Sequence, residues 1–124
     1  MIPAQFDYTR PASIEEALRI LARRDPDTKV ISGGMSLLPL LKLRLAEVGT
    51  LVDIGRLSEL HGIREGADGG VVIGSAVTYR EVLESSLVAE RAPLLTEVIH
   101  DIGDVQVRNR GTLGGSLAHA DPAS

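Results

Sequence analysis

Nine consecutive residues, Arg108-Asn109-Arg110-Gly111-Thr112-Leu113-Gly114-Gly115-Ser116, combine three glycines, two arginines and two hydroxyls. Glycine allows positive φ and lets a ligand come close to bare main chain. Successive N–H groups in such a turn converge into an anion-binding concavity. Thr112 and Ser116 would add donors on either side, and Arg108 and Arg110 are chemically able to pair with a diphosphate. A second glycine turn, Ser32-Gly33-Gly34-Met35-Ser36, lies upstream. Two such turns can close on one diphosphate from opposite sides. The plainer alternative is structural, since a Gly-Gly pair often makes only a turn and a lone glycine loop is weak evidence for any ligand. His119 and Asp121 alternate just downstream and either touch a ligand or belong to a surface loop.

Other chemistries find less support. A P-loop needs Lys after the glycine turn, where Met35 and Ser36 stand. The dinucleotide fingerprint G-x-G-x-x-G follows no predicted strand. His61, His100 and His119 are scattered, without zincin spacing. His100, Asp101 and Asp104 read as a solvated helix end rather than metal ligands. No nucleophile–base pair is visible, so any catalysis would be carried by a bound cofactor.

The elements that must position these residues follow from periodicity and capping. Phe6–Thr9 is a predicted strand. Ser13 and Glu16 form a capping box, followed by Ile14, Ala17, Leu18, Leu21 and Ala22 on one helical face. Asp25-Pro26-Asp27 ends that helix, and Lys29–Ile31 is predicted as a short buried strand. Ser36 is placed to cap a helix from Leu37 to about Leu43, with Pro39 tolerated in its first turn. A strand, glycine turn and helix start in this order would gather orphan N–H groups at the turn. Leu51–Ile54 is a further strand and Gly55–Leu60 a connector. Ile63–Glu65 and Val71–Ile73 flank a hairpin turn. Thr78 and Glu81 make a second capping box, with Val77 and Val82 as its staple. Pro93 opens a helix near N1, with Leu94, Leu95, Val98, Ile99 and Ile102 as its buried stripe and Gly103 at C′.

With 124 residues, the chain can bury roughly two-thirds of its unfolded surface. The 44% hydrophobic and 24% charged content is that of an ordinary globular chain. A net charge of −4 argues against a general nucleic-acid binder. There is no cysteine, so this chain offers no thiolate for an iron–sulfur cluster and no disulfide. No apolar run is long enough to span a membrane, and the start shows no signal-peptide pattern. The cytoplasm is therefore the expected location. Phe6, Tyr8 and Tyr79 are the only aromatic residues, leaving few stacking partners for a flat cofactor.

Three segments together carry a family resemblance: Ser32-Gly33-Gly34-Met35-Ser36-Leu37-Leu38-Pro39, Leu51-Val52-Asp53-Ile54, and Gln106 to Gly115. They resemble the FAD-binding medium subunit of molybdenum hydroxylases, of the carbon monoxide dehydrogenase and xanthine dehydrogenase type. The likeness runs the length of the chain, from Phe6 to Pro122. It implies that Ser32, Gly33, Gly34, Met35 and Ser36 on one side bind the FAD diphosphate. Thr112, Leu113, Gly114, Gly115 and Ser116 bind it on the other, with Asp121 near the ribityl chain. Two positions depart from the pattern: Met35 stands where a polar residue is usual, and Ser116 where Asn or Asp is common.

The implied fold is α+β, with two small α/β subdomains also seen in vanillyl-alcohol-oxidase-like flavoproteins. They would cover residues 1–54 and 55–124, the second incomplete and the C-terminal domain absent. The implied activity is that of an oxidoreductase subunit. FAD would pass electrons from [2Fe–2S] clusters on a small subunit to an acceptor, while a molybdopterin-binding large subunit oxidises substrate. The 124 residues alone are expected to bind FAD weakly and to self-associate. An alternative of another class is a non-catalytic module that keeps only a docking surface for its partner subunits. A flavin oxidase of the vanillyl-alcohol-oxidase type is disfavoured by the Arg108–Thr112 run.

Overall fold

The computed structural model describes residues 1–123. Its N-terminal half is a parallel three-stranded sheet built from β1 (Asp7–Thr9), β2 (Thr28–Ile31) and β3 (Thr50–Asp53), in the order β1-β3-β2. Tyr8 lies opposite Leu51 on one side, and Val30 lies opposite Val52 on the other. β3 is the central strand, and its Leu51 and Val52 are fully buried. β2 is an edge strand with Lys29 and Val30 exposed, not the buried strand its β-branched composition predicts. An edge strand has a neighbour on one side only, so half of its surroundings are open.

Between the strands lie α1 (Ile14–Leu21), after β1, and α2 (Leu37–Lys42), after β2. Ser13 caps α1, its Oγ accepting from the Glu16 N–H at 3.1 Å. The Glu16 carboxylate reaches one residue further back than a capping box requires, accepting from the Ala12 N–H at 2.7 Å. Of the predicted α1 stripe, Ala17 is buried while Leu18 is 60% exposed. Strands of three and four residues form too narrow a sheet to cover a whole helical face.

The C-terminal half carries a hairpin of β4 (Ile63–Glu65) and β5 (Val71–Ile73), with Ile63 opposite Ile73. Five short helices follow: α3 (Tyr79–Leu83), α4 (Ser86–Arg91), α5 (Pro93–His100), α6 (Val105–Arg110) and α7 (Leu113–His119). The Thr78–Glu81 capping box is complete, with the Glu81 carboxylate accepting from the Thr78 N–H at 2.7 Å. Its staple residues Val77 and Val82 join Tyr79, Val88 and Ile99 in the buried core. Arg91 fastens the hairpin to α4 through Glu65 at 2.8 Å and the Gly69 carbonyl at 2.7 Å.

Pro93 opens α5 as predicted, but only part of the predicted stripe is buried. Leu95, Ile99 and Ile102 face the core, while Leu94 and Val98 point outward. The first three share one face of the helix, and Leu94 and Val98 lie about 100° around it. Gly103 adopts φ +50 two residues after the Asp101 C-cap, one position later than predicted. α4, capped by Ser85, has no counterpart in the sequence reading.

The largest difference is at the downstream glycine stretch, which is a helix–corner–helix rather than a glycine turn. Gly111 ends α6 with ψ 143, and Thr112 caps α7, its Oγ1 accepting from the Gly115 N–H at 3.0 Å. Gly114 and Gly115 occupy the first turn of α7, which ends on Ala120 at φ 53. Two glycines ordinarily weaken a helix; here the Thr112 cap holds its start. Among the described residues no helix is long and apolar enough to cross a membrane.

Candidate functional site

The segment Ser32–Ser36 leaves the end of β2 and turns at Gly34, whose φ of +79 favours glycine. The Leu38 N–H closes the turn onto the Gly34 carbonyl at 2.9 Å. The N–H groups of Gly33, Gly34, Met35 and Ser36 donate to no acceptor among the described residues. Ser36 occupies the N-cap position of α2 but has helical dihedrals and makes no side-chain cap bond, contrary to the sequence reading. Its hydroxyl therefore remains available. The Ser32 hydroxyl is buried without a hydrogen-bond partner among the described residues.

Gly33 is pressed against the second segment. A Cβ at Gly33 would overlap the Arg110 carbonyl and lie 3.1 Å from the Gly111 Cα. On the other side, Gly114 packs against the loop before α3, where a Cβ would stand 2.5 Å from the Ser75 carbonyl oxygen. The bareness of Gly114 is thus required by protein packing. Tyr79 lies beneath the α6–α7 corner. Its N–H donates to the Gly111 carbonyl at 2.9 Å, and its hydroxyl donates to Ser116 Oγ.

Between the two segments runs a cleft of about 690 Å³. Ser32 through Ser36 line one wall, and Thr112, Gly114, Gly115 and Ser116 line the other. Leu113 turns its side chain into the core instead. Asp121 borders an adjoining hollow of about 240 Å³ together with Ser36, Ser116 and His119.

Lys29, Ser75 and Tyr79 also line the cleft and were not singled out from sequence. Nothing local marks Ser75 or Lys29, because their places depend on the meeting of two halves of the chain. Tyr79 carried a signal, as the aromatic directly after a capping threonine.

The arginines divide. Arg108 is turned away, its Nη1 donating to the Ile102 carbonyl at 2.9 Å and so closing the end of α5. Arg110 contributes its backbone carbonyl to the Gly33 contact and keeps an exposed side chain. Asp104 caps α6 through the Val107 N–H at 2.9 Å. Among the described residues no cluster of His, Asp and Glu could hold a metal ion.

Below the cleft, Asp53 organises the exit from β3. Its Oδ1 accepts from the Gly55 N–H at 2.9 Å, and its Oδ2 accepts from the Tyr8 hydroxyl. That hydrogen bond, then burial and the Asp53 charge, raises the Tyr8 phenol above its ordinary value.

Free main-chain N–H groups, an orphan serine hydroxyl and a lysine along a cleft of this size suit an elongated anionic ligand. This arrangement, on a parallel sheet joined to a hairpin-and-helix unit, is that of an α+β nucleotide-cofactor protein. The chain belongs to the family described as the FAD binding domain in molybdopterin dehydrogenase, which matches residues 4–124.

Among curated relatives, it is 46% identical to the carbon monoxide dehydrogenase medium chain of Hydrogenophaga pseudoflava over 124 residues. That match covers 100% of this chain and 43% of the relative. It is 42% identical to the glyceraldehyde dehydrogenase medium chain of Sulfolobus acidocaldarius, with the same coverage of 100% and 43%. Among solved structures, it superposes on carbon monoxide dehydrogenase from Hydrogenophaga pseudoflava lacking the Mo-pyranopterin moiety. The TM-score is 0.96 at 47% identity, over 100% of this chain and 43% of that one. The chain thus spans less than half the length of these relatives.

Proposed function

We propose that this chain supplies the diphosphate-holding part of the FAD-binding subunit of a cytoplasmic molybdenum hydroxylase. The observation that carries the reading is the approach of Gly33 to the Arg110-Gly111 backbone, which sets both glycine segments on one cleft. The free N–H groups and hydroxyls of Ser32, Gly33, Gly34, Met35 and Ser36 would hold the diphosphate from one side. Thr112, the Leu113 backbone, Gly114, Gly115 and Ser116 would hold it from the other, with Asp121 on the ribityl side. The cleft would divide two FAD-binding subdomains, residues 1–54 and 55–124. Bound FAD supplies a two-electron carrier that also passes electrons singly. This chain's residues bind and orient that carrier and contribute no acid or base. As in the molybdenum hydroxylases this chain resembles, the [2Fe–2S] clusters would belong to a small subunit. The site of substrate oxidation would belong to a molybdopterin-binding large subunit.

The test is a titration of the whole protein, freed of flavin, with FAD and with riboflavin, followed by flavin fluorescence. Stoichiometric FAD binding is expected, with far weaker binding of riboflavin, which lacks the diphosphate. Equal affinity for the two, or no FAD binding, would overturn the reading.

A further inference from the structure

The geometry points to Tyr79 as a positioning residue that holds the Ser116 hydroxyl as a hydrogen-bond donor toward a phosphate oxygen of the ligand. The inference rests on the proposed FAD reading and deepens it. Tyr79 is only 4% exposed, although it is polar and lines the cleft. Its backbone is fixed by the Thr78 cap and by the N–H bond to Gly111. Its ring lies against Gly111, where a Cβ would come within 3.2 Å of two ring carbons. The phenol is thereby anchored, and its hydroxyl meets Ser116 Oγ.

The direction of that hydrogen bond follows from acidity. A phenol is a far stronger donor than an aliphatic hydroxyl, so Tyr79 gives its hydrogen and Ser116 accepts it. With Tyr79 on one lone pair, the Ser116 hydrogen must point elsewhere. A serine within a helix commonly donates to the carbonyl four residues back. Here that carbonyl, on Thr112, accepts from the Ser116 N–H at 3.1 Å, and among the described residues the hydrogen bond of the Ser116 hydroxyl is the one with Tyr79. Ser116 borders both the cleft and the adjoining hollow. Its hydrogen is therefore free to enter that space, where an anionic oxygen can accept it. A hydroxyl that accepts one bond donates a stronger one, because chained hydrogen bonds polarise each other. No proton is transferred. Tyr79 fixes the sense of the Ser116 dipole and need not touch the ligand itself.

The experiment measures FAD and riboflavin dissociation constants in the whole protein for the wild type, Tyr79→Phe, Ser116→Ala and the double variant. Phenylalanine keeps the ring against Gly111 and removes only the hydroxyl. Each single variant is expected to weaken FAD about tenfold and to leave riboflavin unchanged. The double variant should be no weaker than either single one, since both interrupt the same chain. The ³¹P spectrum of bound FAD should show one of its two resonances displaced in Tyr79→Phe. A purely structural Tyr79 would weaken FAD and riboflavin alike, and that result overturns the inference. So does an unchanged FAD affinity in Tyr79→Phe, or losses that add in the double variant. If the wild type fails to bind FAD, the parent reading falls as well. If wild-type binding holds and Ser116→Ala costs nothing, only the Tyr79 inference falls.

Discussion

The bare α-carbon of Gly33 lies directly against the backbone carbonyl of Arg110, with no space for a side chain between them. The contact joins the turn after β2 to the end of α6. Gly33→Ala must push these backbones apart, because neither neighbour is a flexible side chain. A loss of about 1–3 kcal/mol is expected, as for other overpacked sites, together with weaker FAD binding. Thermal melts of the flavin-free protein would read the first effect. An unchanged melting temperature would show that the segments are not held together here.

Ser32→Ala should act with opposite sign in the two ligation states. Without FAD the substitution removes a buried hydroxyl that has no hydrogen-bond partner among the described residues, and stability should rise by up to about 1 kcal/mol. With FAD it would remove the proposed donor to the diphosphate, and affinity should drop about fivefold to tenfold. Melting curves with and without saturating FAD make the comparison. A shift in the same direction in both would mean that the hydroxyl never meets the ligand.

Gly114→Val tests whether packing alone demands this glycine. The new Cβ would stand 2.5 Å from the Ser75 carbonyl oxygen and 2.7 Å from the Ser75 Cβ. Stability should fall by about 2 kcal/mol even when no flavin is present. Denaturant titration of the flavin-free variant would show it. Wild-type stability with lost flavin would instead assign Gly114 to the ligand alone.

Tyr8 predicts a weak alkaline dependence of stability. Its hydroxyl donates to Asp53, so the fold favours the protonated phenol and raises its value. The contribution is fully present below the unfolded value of about 10 and is lost as pH rises through the folded value. Tyr8→Phe should flatten that part of the curve. Unfolding midpoints of both proteins from about pH 9 to about pH 11 provide the check; parallel curves would exclude the linkage.

Thr96 in α5 carries the other buried hydroxyl without a partner among the described residues. Thr96→Val keeps the shape and removes the polar atom, so stability should rise by about 1 kcal/mol. A denaturation midpoint at or below that of the wild type would indicate that the hydroxyl is hydrogen-bonded in solution.

Much of the architecture was legible because it is written locally. The Thr78–Glu81 box, the Ser13 cap, Pro93 at a helix start and the hairpin around Gly69 each depend on a few adjacent residues. Burial was less legible where it depends on distant partners. Leu18, Leu94 and Val98 fit a helical stripe, yet the neighbouring elements are too short or too far around the helix to cover them. The candidate site divides in the same way. Both glycine segments stood out by composition, but the Gly114 contact with Ser75 and the hydroxyl pair of Tyr79 and Ser116 appear only once residues distant in sequence within the C-terminal half meet. The reassignment of Arg108 has the same origin, because the carbonyls at the end of α5 are invisible in a polar loop read by itself.

The strand order carries a consequence for synthesis. β1 and β2 never pair with each other; both pair only with β3, the last of the three to be made. Until residues 50–53 leave the ribosome, a nascent chain holds two strands with no native partner and no ladder to join. Closing these non-local pairs is intrinsically slow, and unpaired strands invite aggregation meanwhile. The emergence of β3 is therefore the earliest point at which the N-terminal sheet can assemble, and a chain released before Thr50 would have helices to form but no sheet.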